Sequence, residues 1–290
     1  MKQVLPLLFV TLLCYNAHSQ SADVDPGKDT RSRFFAGISY SYFSFETEAK
    51  SLSYHSVWYG QDLGTISLND EELDQINDRT TEKNYLHQVA LEPGMVFLNK
   101  SNWYFDGRLL LGISRVKYKT TVDQPKVNHK EVTSEFNDPV GGLSLNLRYN
   151  FSERWGLTLV PYFTYSWGKA ENIIDSITAF VSYFENDLKE TYSLGYCRLN
   201  LMASYIMDHV MISAGPGVYY SFISKSYSID RTDPESLNKY LDQIESTLST
   251  FAYIDGCVRA DWTIIDPLTL SVEAAVGKDL FVKTGLRYNF

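Results

Sequence analysis

The chain has 290 residues, with 26 Lys and Arg against 35 Asp and Glu, a formal net charge of −9. That acidic balance argues against nucleic acid as a partner. Three cysteines exclude a disulfide-rich scaffold, and no stretch approaches the ~18–20 continuous apolar residues of a spanning helix.

In chain order, the first segment is "MKQVLPLLFVTLLCYNAHSQS". One early cation, Lys2, precedes the apolar run 4–13 and then small and polar residues, the pattern of a secretory signal peptide. Ala17 and Ser19 suit the small-residue cleavage rule, so residues 1–19 are expected to be removed. Leu13 stands before Cys14 where a lipidation motif needs a small residue, so no lipid anchor is predicted there. Residues 20–32 read as a polar leader, and 33–290 as one domain.

From residue 33 onward the dominant period is two, the signature of strands with one apolar face. "RFFAGISYSYFSFE" sets Phe34, Ala36, Ile38, Tyr40 and Tyr42 against Gly37, Ser39 and Ser41. "YLHQVALEPGMVF" sets Tyr85, Val89, Leu91 and Met95 against Gln88, Ala90, Glu92 and Gly94. "WYFDGRLLLGISR" and "VGGLSLNLRYNF" repeat the pattern, as do "WGLTLVPYFTYSW", "GYCRLNLMASY", "VMISAGPGVYYSF", "AYIDGCVRADWTI" and "LTLSVEAAV". The last strand, "VKTGLRYNF", alternates Val282, Leu286, Tyr288 and Phe290 with Lys283, Arg287 and Asn289. Ten strands result.

Their connections alternate in length. "NKSN", "SER", "MDH" and "DP" are tight turns, and between them lie long segments at 47–84, 120–138, 168–190 and 225–250. Three of these carry helical spacing. In "LNDEELDQIND", Asn69 stands as cap with Glu72 placed to reach back. In "ENIIDSITAFVSYFENDLKE", Ile173, Ile177, Phe180, Val181, Phe184 and Leu188 recur at three and four residues. In "DPESLNKYLDQIESTL", Leu237, Tyr240, Leu241, Ile244 and Leu248 do the same. The acidic run Asp70, Glu71, Glu72, Asp74 and Asp78 lacks the alternate-position ligands and central glycine of a calcium loop. An acidic first helical turn accounts for it.

Aromatic residues gather at strand ends: Trp103, Phe105, Tyr149, Phe151, Trp155, Trp262, Tyr288 and Phe290 beside the short turns, and Tyr40, Tyr42, Tyr85, Phe163, Tyr165, Trp167, Tyr220 and Phe222 beside the long segments. Two aromatic girdles, alternating strands and alternating connection lengths are the pattern of a closed membrane barrel. With its terminal aromatic strand, the sequence resembles the bacterial outer-membrane β-barrel proteins. That resemblance implies an all-β, up-and-down antiparallel barrel in the outer membrane of a Gram-negative bacterium, with helices in extracellular loops. Its short turns and the 20–32 leader would be periplasmic. In such proteins the last strand marks the chain for the barrel-assembly machinery, a role that here falls to Leu286, Tyr288 and Phe290. The implied partners are outer-membrane lipids and lipopolysaccharide, and the expected state is a monomer.

The polar phase carries Glu92, Asp106, Arg108, Arg148, Arg198, Asp255, Arg259, Asp261, Glu273, Lys283 and Arg287. A barrel of about ten strands is narrow enough for side chains to fill, and buried charges must pair. A paired network filling the lumen is therefore expected, leaving at most a narrow water path. Cys197 and Cys257 fall on opposite phases and are expected to be free thiols.

No GxSxG, HExxH or CxxC occurs. Omptin proteases, also ten-stranded, use an Asp–His pair at the extracellular rim, whereas the adjacent pair here, Asp208–His209, is in a short turn. His55 and His129 fall in long segments, and His87 points to the apolar face. The sequence reading is thus a barrel that is not an enzyme and takes no cofactor or metal. Its acidic loops would bind an extracellular ligand or brace the envelope. The alternative is a narrow porin-like channel for small solutes.

Overall fold

The computed structural model describes residues 34–58, 61–78, 80–100, 102–124, 127–171, 185–232, 239–250 and 252–290. The expected signal peptide, Cys14 and the leader fall outside these. The strands are β1 (Phe34–Trp58), β2 (Gln61–Ser67), β3 (Thr80–Leu91), β4 (Gly94–Lys100), β5 (Trp103–Gln124), β6 (Val127–Asn150) and β7 (Trp155–Glu171). They continue with β8 (Glu185–Ile206), β9 (Val210–Thr232), β10 (Lys239–Ser249), β11 (Tyr253–Ile265), β12 (Leu268–Val276) and β13 (Leu280–Asn289). A single helix among the described residues, α1, spans Asp70–Asn77.

Ten strands close an antiparallel ring in the order β1–β13–β12–β11–β9–β8–β7–β6–β5–β3 and back to β1. Closure pairs every strand edge within the bilayer, where water is not available to do so. β4 prolongs β3 at the short-turn end. Pro93 interrupts the ladder there, but the Glu92 N–H still donates to the Gly37 carbonyl at 2.7 Å and the Gly37 N–H to Glu92 at 3.0 Å.

The period-two pattern sorts the side chains as the sequence requires. Ile38, Leu91, Leu111, Ile113, Leu143, Leu199 and Val258 point outward and are exposed, while Ser39, Ser41, Gln88, Ser144 and Asn200 are buried within the ring. Exposed apolar residues on this scale suit hydrocarbon as solvent, not water. The girdles stand at both ends. Trp103 lies opposite Tyr149, with ring centroids 4.7 Å apart, and Trp155 opposite Tyr205, at 4.8 Å. Tyr40, Phe163, Trp167 and Tyr220 are exposed near the other end. None of the described helices is long and apolar enough to cross a membrane; the strands do so.

The long segments depart from expectation. They are largely strand, because β1, β5, β6, β8 and β9 run 22 to 25 residues, at least twice the ~9–11 that a bilayer requires. The outer halves form a collar above the membrane. Of the helix expected within 233–248, residues 239–248 are instead part of β10, and 233–238 lie outside the described residues. Its helical spacing is overridden by backbone demand: β13 ends opposite Ser44 and β11 begins opposite Tyr219, leaving the outer edges of β1 and β9 without partners from the ring. β10 pairs with both, Thr247 lying opposite Ser51 on one side and Ser224 on the other. An unpaired backbone costs more than helix propensity returns. The helix expected over 171–190 is corrected at its end, since 185–190 belong to β8 and pair with β9, Lys189 and Glu190 pairing with β7 as well. Residues 172–184 lie outside the described set. The expected α1 is present, with its capping box: the Glu72 N–H donates to Asn69 Oδ1 at 3.1 Å, and the Asn69 N–H to Glu72 Oε2 at 3.0 Å.

Candidate functional site

The lumen is filled in tiers. On β5, Asp106 and Arg108 share the inward phase two residues apart, so they stack in successive layers. In the lower tier Asp106, fully buried, accepts from Asn146 Nδ2 at 3.2 Å and pairs with Arg108 Nη2 at 3.4 Å and Arg287 Nη1 at 3.5 Å. Phe35 lies beside both guanidiniums, its ring centroid 5.8 Å from Arg108 and 5.0 Å from Arg287. Glu92 anchors the next tier. It accepts from Ser39 Oγ at 2.6 Å, Arg108 Nη1 at 3.1 Å and Lys283 Nζ at 2.6 Å. Arg108 thus joins the two carboxylates, the arrangement that offsets desolvation of buried charge.

Around these, Arg259 binds Asp261 through Nε and Nη2 at 2.9–3.1 Å. Glu273 accepts from Asn200 Nδ2 at 2.7 Å and, weakly, from Cys257 Sγ at 3.6 Å. Arg198 and Asp255 form a bidentate pair at 2.9 and 2.7 Å. Arg148 differs from the expected network: it lies against the Tyr104 ring at 5.0 Å, with Nη1 2.9 Å from Met211 Sδ. Both described cysteines are free thiols, as expected.

Room for the Arg198–Asp255 pair depends on a residue with no side chain. A Cβ at Gly217 would lie 2.5 Å from Asn200 Oδ1, 2.6 Å from Asp255 Oδ1 and 2.7 Å from Arg198 Nη2. Gly217→Ala is therefore expected to destabilise the refolded barrel by about 1–3 kcal/mol through overpacking. A urea titration would show a lower midpoint; an unchanged midpoint would contradict the packing.

The inward aromatics were missed in the sequence reading. Phe43 lies 4.3 Å from the Tyr196 ring and 4.8 Å from Phe281, and Tyr162 completes the layer at 6.2 Å from Phe43. Arg198 and Lys283 stack on Phe281 and Tyr162, each at 4.8 Å. The signal was present: Phe43 and Phe45 share the parity of Ser39 and Ser41. Above this layer Leu86, Val116, Leu194 and Ile223 are buried inside the collar. Lys225 crosses to Glu82 at 2.6 Å, over the Tyr118 ring at 3.6 Å. The cavity bounded by Glu92, Arg108, Arg259, Glu273, Lys283 and Arg287 measures about 30 Å³, space for one or two waters.

The histidines are placed apart from these tiers. His87 faces outward as expected, with Nδ1 2.7 Å from Tyr40 Oη and its ring 4.9 Å from Tyr42. His55 is on β1, not in a loop, with Nδ1 3.1 Å from Thr65 Oγ1. Asp208 and His209 sit in the exposed turn between β8 and β9, and the His129 side chain lies outside the described set.

A closed ring, a lipid-facing apolar band and two girdles are now in place. The fold is that of a bacterial outer-membrane β-barrel. Similar solved structures include the outer-membrane protease OmpT from Escherichia coli, at 12% identity and TM-score 0.44, covering 90% of this chain and 98% of that one. The translocator domain of the autotransporter NalP from Neisseria meningitidis is similar at 8% identity and TM-score 0.41, covering 97% and 96%. The outer-membrane protein OprG from Pseudomonas aeruginosa is similar at 10% identity and TM-score 0.33, covering 90% and 98%. No protein-family model and no curated protein matches the chain. The fold rests on the ring closure itself, not on these likenesses.

Proposed function

We propose that this barrel is plugged and non-conducting, and that its working surface is the extracellular collar, which binds a surface ligand or braces the envelope. The filled lumen carries this reading. Two ion-pair tiers, an aromatic layer and an apolar collar interior follow one another along the axis, and the space between the charges is about 30 Å³. Hydrated ions need a continuous path, and each tier would have to break buried pairs to give one.

Catalysis has less support. His87 is engaged by tyrosines on the lipid-facing surface, and His55 by Thr65; neither pairing supplies a nucleophile with a base and orienter. Exposure of Leu286, Tyr288 and Phe290 on the outer face fits their proposed part in recognition during assembly.

The porin-like alternative is separated by one measurement. The refolded protein in a planar bilayer is expected to give no steady single-channel steps across a voltage range that leaves the bilayer intact. Reproducible steps would replace the plugged reading with a narrow pore.

A further inference from the structure

We infer that the cavity between the lower lumen tiers is a binding site for a small inorganic anion of the halide class, such as chloride. Its wall on β13 is built around a missing side chain. Lys283, Gly285 and Arg287 share the inward phase, so the middle of three successive inward positions carries nothing beyond Cα. All three line the cavity, as do Arg108 and Arg259. Four cations thus surround about 30 Å³, together with Glu92 and Glu273. Both acids already accept from other groups, Glu92 from Ser39, Arg108 and Lys283, and Glu273 from Asn200.

Donors are in excess around this space. The Nε–H groups of Arg108 and Arg287 are buried and have no acceptor among the described residues. Lys283 has three N–H donors, and Glu92 takes one of them at 2.6 Å. Charge points the same way. The carboxylates of the two lower tiers are Glu92, Asp106, Asp261 and Glu273. Their cations are Arg108, Arg259, Lys283 and Arg287, and also Arg148, which rests on the Tyr104 ring and Met211 Sδ rather than on an acid. Five against four leaves one positive charge over, in a lumen where uncompensated charge is costly. Above them Arg198 and Asp255 balance each other. Asp138, a further inward carboxylate on β6, is six residues from Ser144, roughly 20 Å along the strand. Geometry selects the ligand. Both Nη groups of Arg108 are taken, by Glu92 and Asp106, leaving a single N–H that suits a spherical acceptor better than a bidentate one. A halide is little larger than the one or two waters this space would hold. Entry is from the short-turn end, where the Arg287 side chain is 23% exposed. The site requires the cavity and not the layers above it, so a conducting barrel would leave it standing.

The test unfolds the refolded full-length barrel with urea at constant ionic strength, while sodium gluconate is replaced by sodium chloride or bromide. Gluconate is too bulky for the cavity. The wild-type midpoint is expected to rise with the logarithm of halide concentration once the site fills. Crystals grown in bromide should show an anomalous peak among Arg108, Lys283 and Arg287. Gly285→Ala should fold, because its Cβ would lie 3.5 Å from Ser39 Cβ and 3.6 Å from the Ile38 carbonyl oxygen, both ordinary contacts. Its methyl group takes up the anion's space, so the halide dependence and the peak should both be lost. Arg287→Gln should weaken halide binding by about tenfold or more. Heat modifiability reports whether each variant has folded, and the wild-type measurements decide the matter even if neither has. A midpoint indifferent to halide, or no bromide peak in the cavity, would overturn the inference and leave water among the cations. A peak without a halide-dependent midpoint would be binding at crystal concentration only, and full halide dependence in folded Gly285→Ala would place the ion elsewhere; either result also overturns it.

Discussion

Asp255→Ala is expected to destabilise the refolded barrel by about 3–5 kcal/mol. The Arg198 and Asp255 side chains are 1% and 2% exposed, so Arg198 could not reach water once its partner was gone. Its guanidinium would stay against the Phe281 ring and the Tyr196 hydroxyl, 3.4 Å away, and neither carries a full negative charge. The urea midpoint of the folded, heat-modifiable form should fall steeply. Removing both charges with Arg198→Leu and Asp255→Leu should restore much of the loss, because the cost lies in the orphaned cation rather than in the missing pair. A single variant as stable as wild type would show that water already reaches this tier.

How much of this was legible in the sequence depended on which force decided each part. Within the bilayer one face meets hydrocarbon and the other a packed, polar lumen, so alternation at Leu143–Phe151 or Phe34–Tyr42 marked ring strands directly. The α1 cap was legible because Asn69 and Glu72 act within one turn. Above the membrane that contrast fades, and the outer halves of β1, β5, β8 and β9 could not be told from loops. β10 was actively misleading: Tyr240, Leu241, Ile244 and Leu248 keep helical spacing, yet the strand is fixed by hydrogen bonds to β1, more than 180 residues away, and to β9, 7 to 27 residues away. No local pattern encodes a partner that distant. In the lumen, phase alone named candidate charges and not their partners, since Arg108 meets Asp106 on its own strand and Glu92 at the junction between β3 and β4.

Phe43→Ala should be the most costly of the apolar substitutions, at about 3–5 kcal/mol, and the reason is where Phe43 sits. It is 1% exposed and touches Tyr196, Phe281 and Tyr162 at once, so its removal leaves a void between rings held on different strands. β7, β8 and β13 carry those three rings, and they are too firmly fixed by the closed ladder to collapse inward. The void forms between two separate closures: the Glu92, Arg108 and Lys283 tier below and the Lys225–Glu82 crossing above. A lower urea midpoint is therefore expected together with unchanged electrical silence. Steady conductance in this one variant would locate the seal in the aromatic layer, and the ion pairs would then be wet linings of a pore closed by a single ring. Silence with lost stability would mean that the tiers seal independently, and that the collar above them is where the protein meets its surroundings.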